Sequence, residues 1–154
     1  MKYYKSEFWK DINSANSDIR KKAESDWNEA MKQYGSYFDT IKDKLPKKFI
    51  KEYYKHGGFH DYVFTDISIS KIEKYFSAVD ISINNDEKFW HIKLSGVSSI
   101  LLDIPTSRNW LCGNLTWGYT EFELIESGIW VIRILCDIDC KIKVCFKKIS
   151  IAKQ

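Results

Sequence analysis

The spacing of the apolar residues changes at Gly58, and this change limits the possible folds of the 154-residue chain more than any other feature. Before Gly58, apolar side chains recur every three or four positions, which is the spacing of one face of an α-helix. This stripe consists of Ile19, Ala23, Trp27, Ala30, Met31, Tyr34, Phe38, Ile41 and Leu45. After Gly58, apolar and polar residues alternate, as in half-buried β-strands. The sequence therefore predicts a helical part followed by a sheet.

Serine, proline and glycine residues set the bounds of the predicted helices. Ser14 or Ser17 can cap the long helix, because a serine hydroxyl accepts a hydrogen bond from a backbone N–H of the first turn. Pro46 ends this helix and opens a second one, since proline disfavours the α region for the residue before it but tolerates the first helical position. Gly57 suits the left-handed position that follows a helix. We expect a helical pair over about residues 14–57.

The alternating segments cover about residues 60–151. Apolar positions of the first two segments are Val63, Ile67, Ile69, Val79, Ile81 and Ile83. Helical segments followed by about six strands predict an α+β protein, with both helices packed on an antiparallel, largely meandering sheet. The length fits one domain, residues 1–154.

One hairpin can be placed in register from its residues. A loop over residues 126–128 puts Gly128 at the left-handed position that a three-residue loop requires. A two-residue loop would instead turn Glu121 and Glu123 onto the apolar face, where burying unpaired carboxylates costs several kcal/mol. We therefore predict the three-residue loop, with Glu121 opposite Arg133 in a cross-strand ion pair.

The last segment changes phase near its end. Its apolar positions are Ile142, Val144 and Phe146, and then Ile149 and Ile151. A β-bulge near residues 147–148 would absorb such a slip, because it inserts one extra residue into a strand.

Charge and composition narrow the classes of partner. The net charge of +3 is too small to indicate nucleic acid. No apolar run reaches the length of a membrane span, and the first residues show no signal peptide. The four cysteines are expected to be reduced thiols in such a chain, which predicts a cytoplasmic location.

The segment HGGFHD, residues 56–61, contains two of the three histidines. His56 and His60 are four residues apart and would face one metal ion on a continuous helix. Gly57 and Gly58 interrupt any such helix, and no third ligand can be named. The sequence therefore predicts neither a metal site nor a bound cofactor.

A catalytic interpretation of this segment uses His60 as the base. Asp61 is its neighbour, but adjacent residues of a strand point to opposite faces, so we expect no hydrogen bond between the two. His60 would then work with a carboxylate from another strand, Glu121 or Glu123. The alternative is structural: Asp61 caps backbone donors, and His60 packs between the helices and the sheet.

Aromatic residues also crowd the segment NWLCGNLTWGYTEF. Trp110, Trp117 and Tyr119 are candidates for a stacking platform that binds a base or a sugar. Lys and Arg are scarce around them, which argues against a nucleic-acid strand. Ordinary packing within the sheet is the alternative.

The chain resembles a group of small uncharacterised bacterial proteins that carry domain-of-unknown-function labels. The resemblance lies in the helical N-terminal third, the aromatic-His-Asp motif FHD at residues 59–61, and the closing meander YTEFELIESGIWVIRILCDIDCKIKVCFKKISI. Some proteins of similar plan are similar to immunity proteins, which neutralise toxins delivered by neighbouring cells. The resemblance implies no catalytic residues.

These observations favour a non-enzymatic protein that binds another protein in the cytoplasm, with toxin binding as a specific form. Ile125, Ile129, Val131 and Leu135 would line the sheet face opposite Trp130. Either the helices or another chain, a second copy included, must cover that face. The alternative function is a small-ligand binder or an enzyme that uses His60 with a nearby carboxylate.

Overall fold

The computed structural model describes residues 1–73, 76–104, 115–125, 128–136 and 140–153. Its helices are α1 (Ser6–Ile12), α2 (Ser17–Ile41) and α3 (Lys47–Lys55), with 3-10 turns at Lys42–Lys44 and Gly57–Phe59. Its strands are β1 (Val63–Glu73), β2 (Phe76–Asn84), β3 (Phe89–Val97), β4 (Ser99–Asp103), β5 (Trp117–Leu124), β6 (Trp130–Cys136), β7 (Lys141–Phe146) and β8 (Lys148–Lys153). The predicted α+β class is confirmed. None of the helices in these ranges combines the length and apolar character that crossing a membrane requires.

The long helix follows the predicted stripe, with a correction at each end. The α-helix stops at Ile41, and a 3-10 turn at Lys42–Lys44 separates it from Pro46. Asn16, and neither serine, is the N-cap: its side chain accepts hydrogen bonds from the N–H groups of Asp18 (2.9 Å) and Ile19 (3.3 Å). An amide oxygen is as good an acceptor here as a hydroxyl. The stripe residues are buried except Ile19 and Met31, which are exposed.

The strands form two sheets of four, where the sequence predicted one sheet of about six strands. The strand orders are β1-β2-β3-β8 and β4-β7-β6-β5, and all pairs are antiparallel. Each sheet contains a three-strand meander and one further strand, which is β8 in the first sheet and β4 in the second. Buried residues of both sheets and of the helices form one core.

The chain crosses from one sheet to the other twice at the same place, at Ser98 between β3 and β4 and at Lys147 between β7 and β8. The second crossing lies where the sequence predicted a β-bulge. The N–H of Lys147 bonds to the carbonyl of Ser95 (2.9 Å), and that of Ser98 bonds to the carbonyl of Cys145 (3.0 Å). Gly96 has a φ of +67° there, and a Cβ on it would meet the Cβ of Lys147 at 3.0 Å. The phase slips at Lys147 because β7 and β8 belong to different sheets.

The hairpin of β5 and β6 has the predicted register, with Glu121 opposite Arg133 and a φ of +72° at Gly128. The ion pair predicted across it is wrong. Arg133 bonds instead to Glu123, with 2.6 Å between Nη2 and Oε2. Burial alone would raise the pKa of Glu123, but hydrogen bonds from Lys2 and Arg133 hold it below its usual value.

The predicted apolar face of β6 is largely covered within this chain. Val131 and Leu135 are buried, whereas Ile125 is exposed and Ile129 is half-buried. No second chain is needed to cover the two buried residues.

Helix α2 covers the open edge of β5. Two tyrosine hydroxyls of α2 take the place of a neighbouring strand: Tyr34 accepts from the N–H of Phe122 (2.7 Å) and Tyr37 accepts from the N–H of Leu124 (3.2 Å). The ring of Phe38 stacks on that of Phe122 at 5.8 Å. Edge N–H groups need acceptors when they are buried, and these hydroxyls supply them.

Glu121 of β5 holds the N-terminal segment, residues 2–12, against this strand. Its Oε1 accepts from the N–H groups of Tyr3 (2.7 Å) and Tyr4 (2.8 Å), and its Oε2 accepts from the N–H of Lys2 (2.8 Å). The carboxylate is buried, and three charge-assisted hydrogen bonds compensate for its loss of water.

We predict that Glu121→Gln loosens this segment. The amide keeps one acceptor oxygen but turns an NH₂ donor toward the N–H of Lys2, so the free energy of unfolding should fall by about 1–3 kcal/mol. Trypsin should also cut after Lys5 and Lys10 faster than in the wild type. Glu24→Gln, on the exposed face of α2, is the control and should change neither quantity. Unchanged cleavage in Glu121→Gln would contradict the assignment.

We predict an unequal cost for removing the two hydroxyls of α2. Tyr34→Phe leaves the buried N–H of Phe122 without an acceptor, which should cost about 1–3 kcal/mol. Tyr37→Phe should cost less, because its bond is longer and only partly buried. Denaturant unfolding of both variants measures the difference, and equal losses would show that the edge of β5 is not capped in this way.

Candidate functional site

The backbone between α3 and β1 is strained. The φ angles of Gly57, Gly58, Phe59 and Asp61 are all positive, at +57°, +71°, +63° and +66°. Glycine adopts this region freely, but each of the other two residues loses about 1–2 kcal/mol there. Such strain persists only where surrounding contacts enforce it, and it concentrates at functional sites.

Contacts with the core and with β5 enforce this conformation. The side chain of Phe59 is fully buried and packs edge-on to Trp117, with 5.8 Å between the ring centroids. The N–H of Asp61 bonds to the carbonyl of Trp117 (2.8 Å), and the N–H of Trp117 bonds to the carbonyl of Tyr62 (2.7 Å). The turn is therefore fixed on both sides of His60.

This turn brings His60 and Asp61 together. The Nδ1 of His60 lies 2.9 Å from the Oδ2 of Asp61, so the expectation that the two side chains cannot meet is wrong. That expectation assumed a strand, whereas Asp61 lies in a left-handed turn, which points both side chains the same way. The Asp61 side chain is 84% exposed, and the His60 ring packs edge-on to Tyr119 at 4.9 Å.

Two adjacent cavities share a wall made of His60, Gly118 and Tyr119, and we call them together the His60 cleft. The smaller one, the tryptophan lobe, measures about 180 Å³; its other lining residues are Trp9, Asp61, Thr116, Leu135 and Cys136. The larger one, the tyrosine lobe, measures about 360 Å³; its lining includes Tyr4, Met31, Tyr34, Tyr53, Tyr54 and Thr120. The N-terminal segment contributes one wall to each lobe.

Four tyrosines of the cleft, Tyr4, Tyr34, Tyr53 and Tyr119, are held as neutral phenols. Burial raises the pKa of Tyr4 to about 12 and raises the pKa values of Tyr34 and Tyr53 further. Burial and then the carboxylate of Asp61 raise the pKa of Tyr119. The walls therefore present uncharged ring faces and hydroxyl groups at physiological pH.

His56 belongs to the core and not to the cleft. Its side chain is 7% exposed, its Nδ1 lies 2.8 Å from the hydroxyl of Tyr62, and its Nε2 lies 3.5 Å from Glu52. Burial, followed by the charge of Lys88, lowers its pKa, so the ring is neutral near pH 7. Among the described residues, no group of three or more His, Cys, Asp or Glu side chains has the arrangement of a metal site.

The two carboxylates proposed as distant partners of His60 serve other contacts. Glu121 holds the N-terminal segment, and Glu123 bonds to Lys2 and Arg133. Neither lines the cleft. The carboxylate that the structure brings to His60 is its neighbour Asp61.

Of the two described members of the proposed aromatic platform, Tyr119 lies in the cleft and Trp117 does not. Trp117 is fully buried, and its Nε1–H donates to the Oγ1 of Thr120 at 2.6 Å. Trp110 lies outside the described residues.

Sequence reasoning missed the walls from the N-terminal segment and from α3, namely Tyr4, Trp9, Tyr53 and Tyr54. Their aromatic character is visible in MKYYKSEFW and KEYYK, but their proximity to Tyr119 is not, because more than 60 residues separate them along the chain. Tyr4 and Trp9 lie 5.2 and 5.7 Å from the Tyr119 ring.

Comparisons with known proteins leave the function open. No protein-family model matches the chain, and no curated protein matches it. A crystal structure of an uncharacterized protein from Neisseria gonorrhoeae is similar at 16% identity; the match covers 60% of this chain and 91% of that chain, with a TM-score of 0.45. The function must therefore be argued from the residues of this chain.

We predict that the strain at Asp61 can be measured by two substitutions. Asp61→Gly and Asp61→Ala both remove the carboxylate, but only glycine tolerates the φ of +66° without a penalty. The glycine variant should be more stable than the alanine variant by about 1 kcal/mol. Denaturant unfolding measures the difference. Equal stabilities would mean that residue 61 is not left-handed in solution.

Proposed function

We propose that this chain is a non-enzymatic binding protein whose contact surface for another protein is the His60 cleft. The observation that carries the proposal is the continuity of the cleft with an exposed apolar rim. Met31 and Tyr54 line the tyrosine lobe and remain 47% and 53% exposed. Contiguous apolar surface beside a concave, partly polar site is typical of interaction surfaces.

The division of the cleft into two small lobes suits separate side chains of a partner. Small-molecule sites usually measure about 300–1,000 Å³ and enclose most of the ligand. The tryptophan lobe is smaller than this, and the tyrosine lobe lies at the lower end. Partner side chains that enter two adjacent lobes resemble the anchor residues of protein interfaces, which are aromatic residues and arginine.

A toxin delivered by a neighbouring bacterial cell is the specific partner that we propose, on the resemblance to immunity proteins. The chain would act in the cytoplasm by occupying the toxin surface. This role requires only a binding surface, and the walls of the cleft are held in place by the contacts of β5.

The His60–Asp61 pair favours one second candidate, an acid–base function. With Asp61 held 2.9 Å from Nδ1, the imidazole has a fixed orientation, as in a general base oriented by a carboxylate. A bound small substrate would then occupy the tryptophan lobe. Under this alternative, His60→Gln abolishes turnover of that substrate.

We predict that partner capture depends on the rim of the cleft. Met31→Glu and Tyr54→Glu place charges on that rim and should each reduce recovery of the specific partner from the native cell at least tenfold. The matched controls are Ile69→Glu on β1 and Leu101→Glu on β4, whose side chains are similarly exposed at 56% and 57% but lie outside the cleft. Equal recovery by the rim variants and the controls would reject the cleft as the contact surface.

A further inference from the structure

We infer that the group bound in the His60 cleft is a basic side chain of the partner, with arginine preferred over lysine. This inference rests on the proposed function and assigns a chemical class to the occupant. It follows from the charge of the lining, the aromatic walls, and the geometry at Asp61.

The lining of the cleft is negative in a chain that is positive overall. Asp61 is the anionic side chain of the lining, and among the described lining residues there is no lysine or arginine. The net charge of the chain is nevertheless +3, with basic residues concentrated on α3 at Lys47, Lys48, Lys51 and Lys55. Unlike-charge contact lowers the free energy of binding, so this local reversal of sign favours a cation over an anion.

The aromatic walls of the cleft also favour a cation. Tyrosine ring faces attract a cation placed within about 6 Å of the ring centroid, and the attraction grows when water is excluded. Tyr4, Tyr34, Tyr53 and Tyr119 remain neutral, because burial raises the pKa of each. No phenolate charge therefore distorts this attraction, and the half-buried Tyr119 belongs to both lobes.

The geometry at Asp61 distinguishes arginine from lysine. Its Oδ2 contacts the Nδ1 of His60, and its Oδ1 can accept from an incoming group. A planar guanidinium can donate to that oxygen while its face lies on the Tyr119 ring. An ammonium group is a strongly hydrated point charge and cannot stack in this way.

The test uses four small probes: the N-acetyl amides of arginine, citrulline, lysine and glutamate. Citrulline has nearly the shape of arginine without its charge, so the comparison isolates the cation. Each probe is titrated to tens of millimolar into the isotope-labelled protein, and NMR shifts are followed at Gly118, Tyr119 and His60. We expect arginine to shift these signals with at least tenfold higher affinity than citrulline, lysine to be intermediate, and glutamate to leave them unchanged.

Asp61→Asn provides the matched variant, because asparagine preserves the shape and the backbone tolerance of aspartate but not its charge. It should weaken arginine binding at least fivefold and leave citrulline binding unchanged. Added salt should weaken arginine binding in the wild type more than in the variant. An unchanged arginine affinity in Asp61→Asn would overturn the role given to this carboxylate.

The remaining outcomes separate this inference from the proposed function. If citrulline binds as tightly as arginine, or if no probe shifts the signals of the cleft, the inference is wrong, while rim-dependent partner capture can still stand. If arginine binds in the cleft but Met31→Glu and Tyr54→Glu capture the partner as well as the controls do, the chemical class is right and the proposed protein-binding surface is wrong.

Discussion

The open edge of β5 is the constraint on which the rest of the structure depends. A buried edge strand needs acceptors for its N–H groups, and this strand obtains them from the hydroxyls of Tyr34 and Tyr37 rather than from another strand. Its first residue, Trp117, exchanges backbone hydrogen bonds with the turn at Asp61 and Tyr62. The same strand carries Glu121, which holds the N-terminal segment. Three separate parts of the chain therefore converge on one strand.

The His60 cleft is a consequence of this convergence. Helix α2, the N-terminal segment and the turn after α3 each contact β5, but they do not fill the space between them. Each contributes one wall, and the ring of Tyr119 lies at their centre. Hydrogen bonds to β5 hold α2, the N-terminal segment and the turn in place, so these three walls are positioned without a ligand. Walls that are already ordered lose little conformational entropy when a group enters between them.

The sequence predicted the features that depend on neighbouring residues better than those that depend on residues far apart in the chain. The helix α2 and the register of the β5–β6 hairpin were predicted because neighbouring residues determine them: the stripe ends at Pro46, and Gly128 selects the loop. The split into two sheets was not predicted, because it depends on the pairing of β3 with β8, which lies more than 50 residues later in the chain. The His60–Asp61 contact was also missed, because the sequence was interpreted as a strand at Asp61, where the backbone is left-handed. Local propensity sets the elements, and long-range contacts set the site.

Glu121 shows why residue type alone assigned the wrong role to a carboxylate. A buried glutamate suggests catalysis until its hydrogen bonds are counted: both oxygens already accept from the N–H groups of Lys2, Tyr3 and Tyr4. An apolar residue there would leave three donors unsatisfied, and a shorter carboxylate would not reach all three. Its effect on the cleft is indirect, since Tyr4 and Trp9 belong to the segment that it holds. The carboxylate that lines the cleft is the exposed one, Asp61, which the strained turn places beside His60.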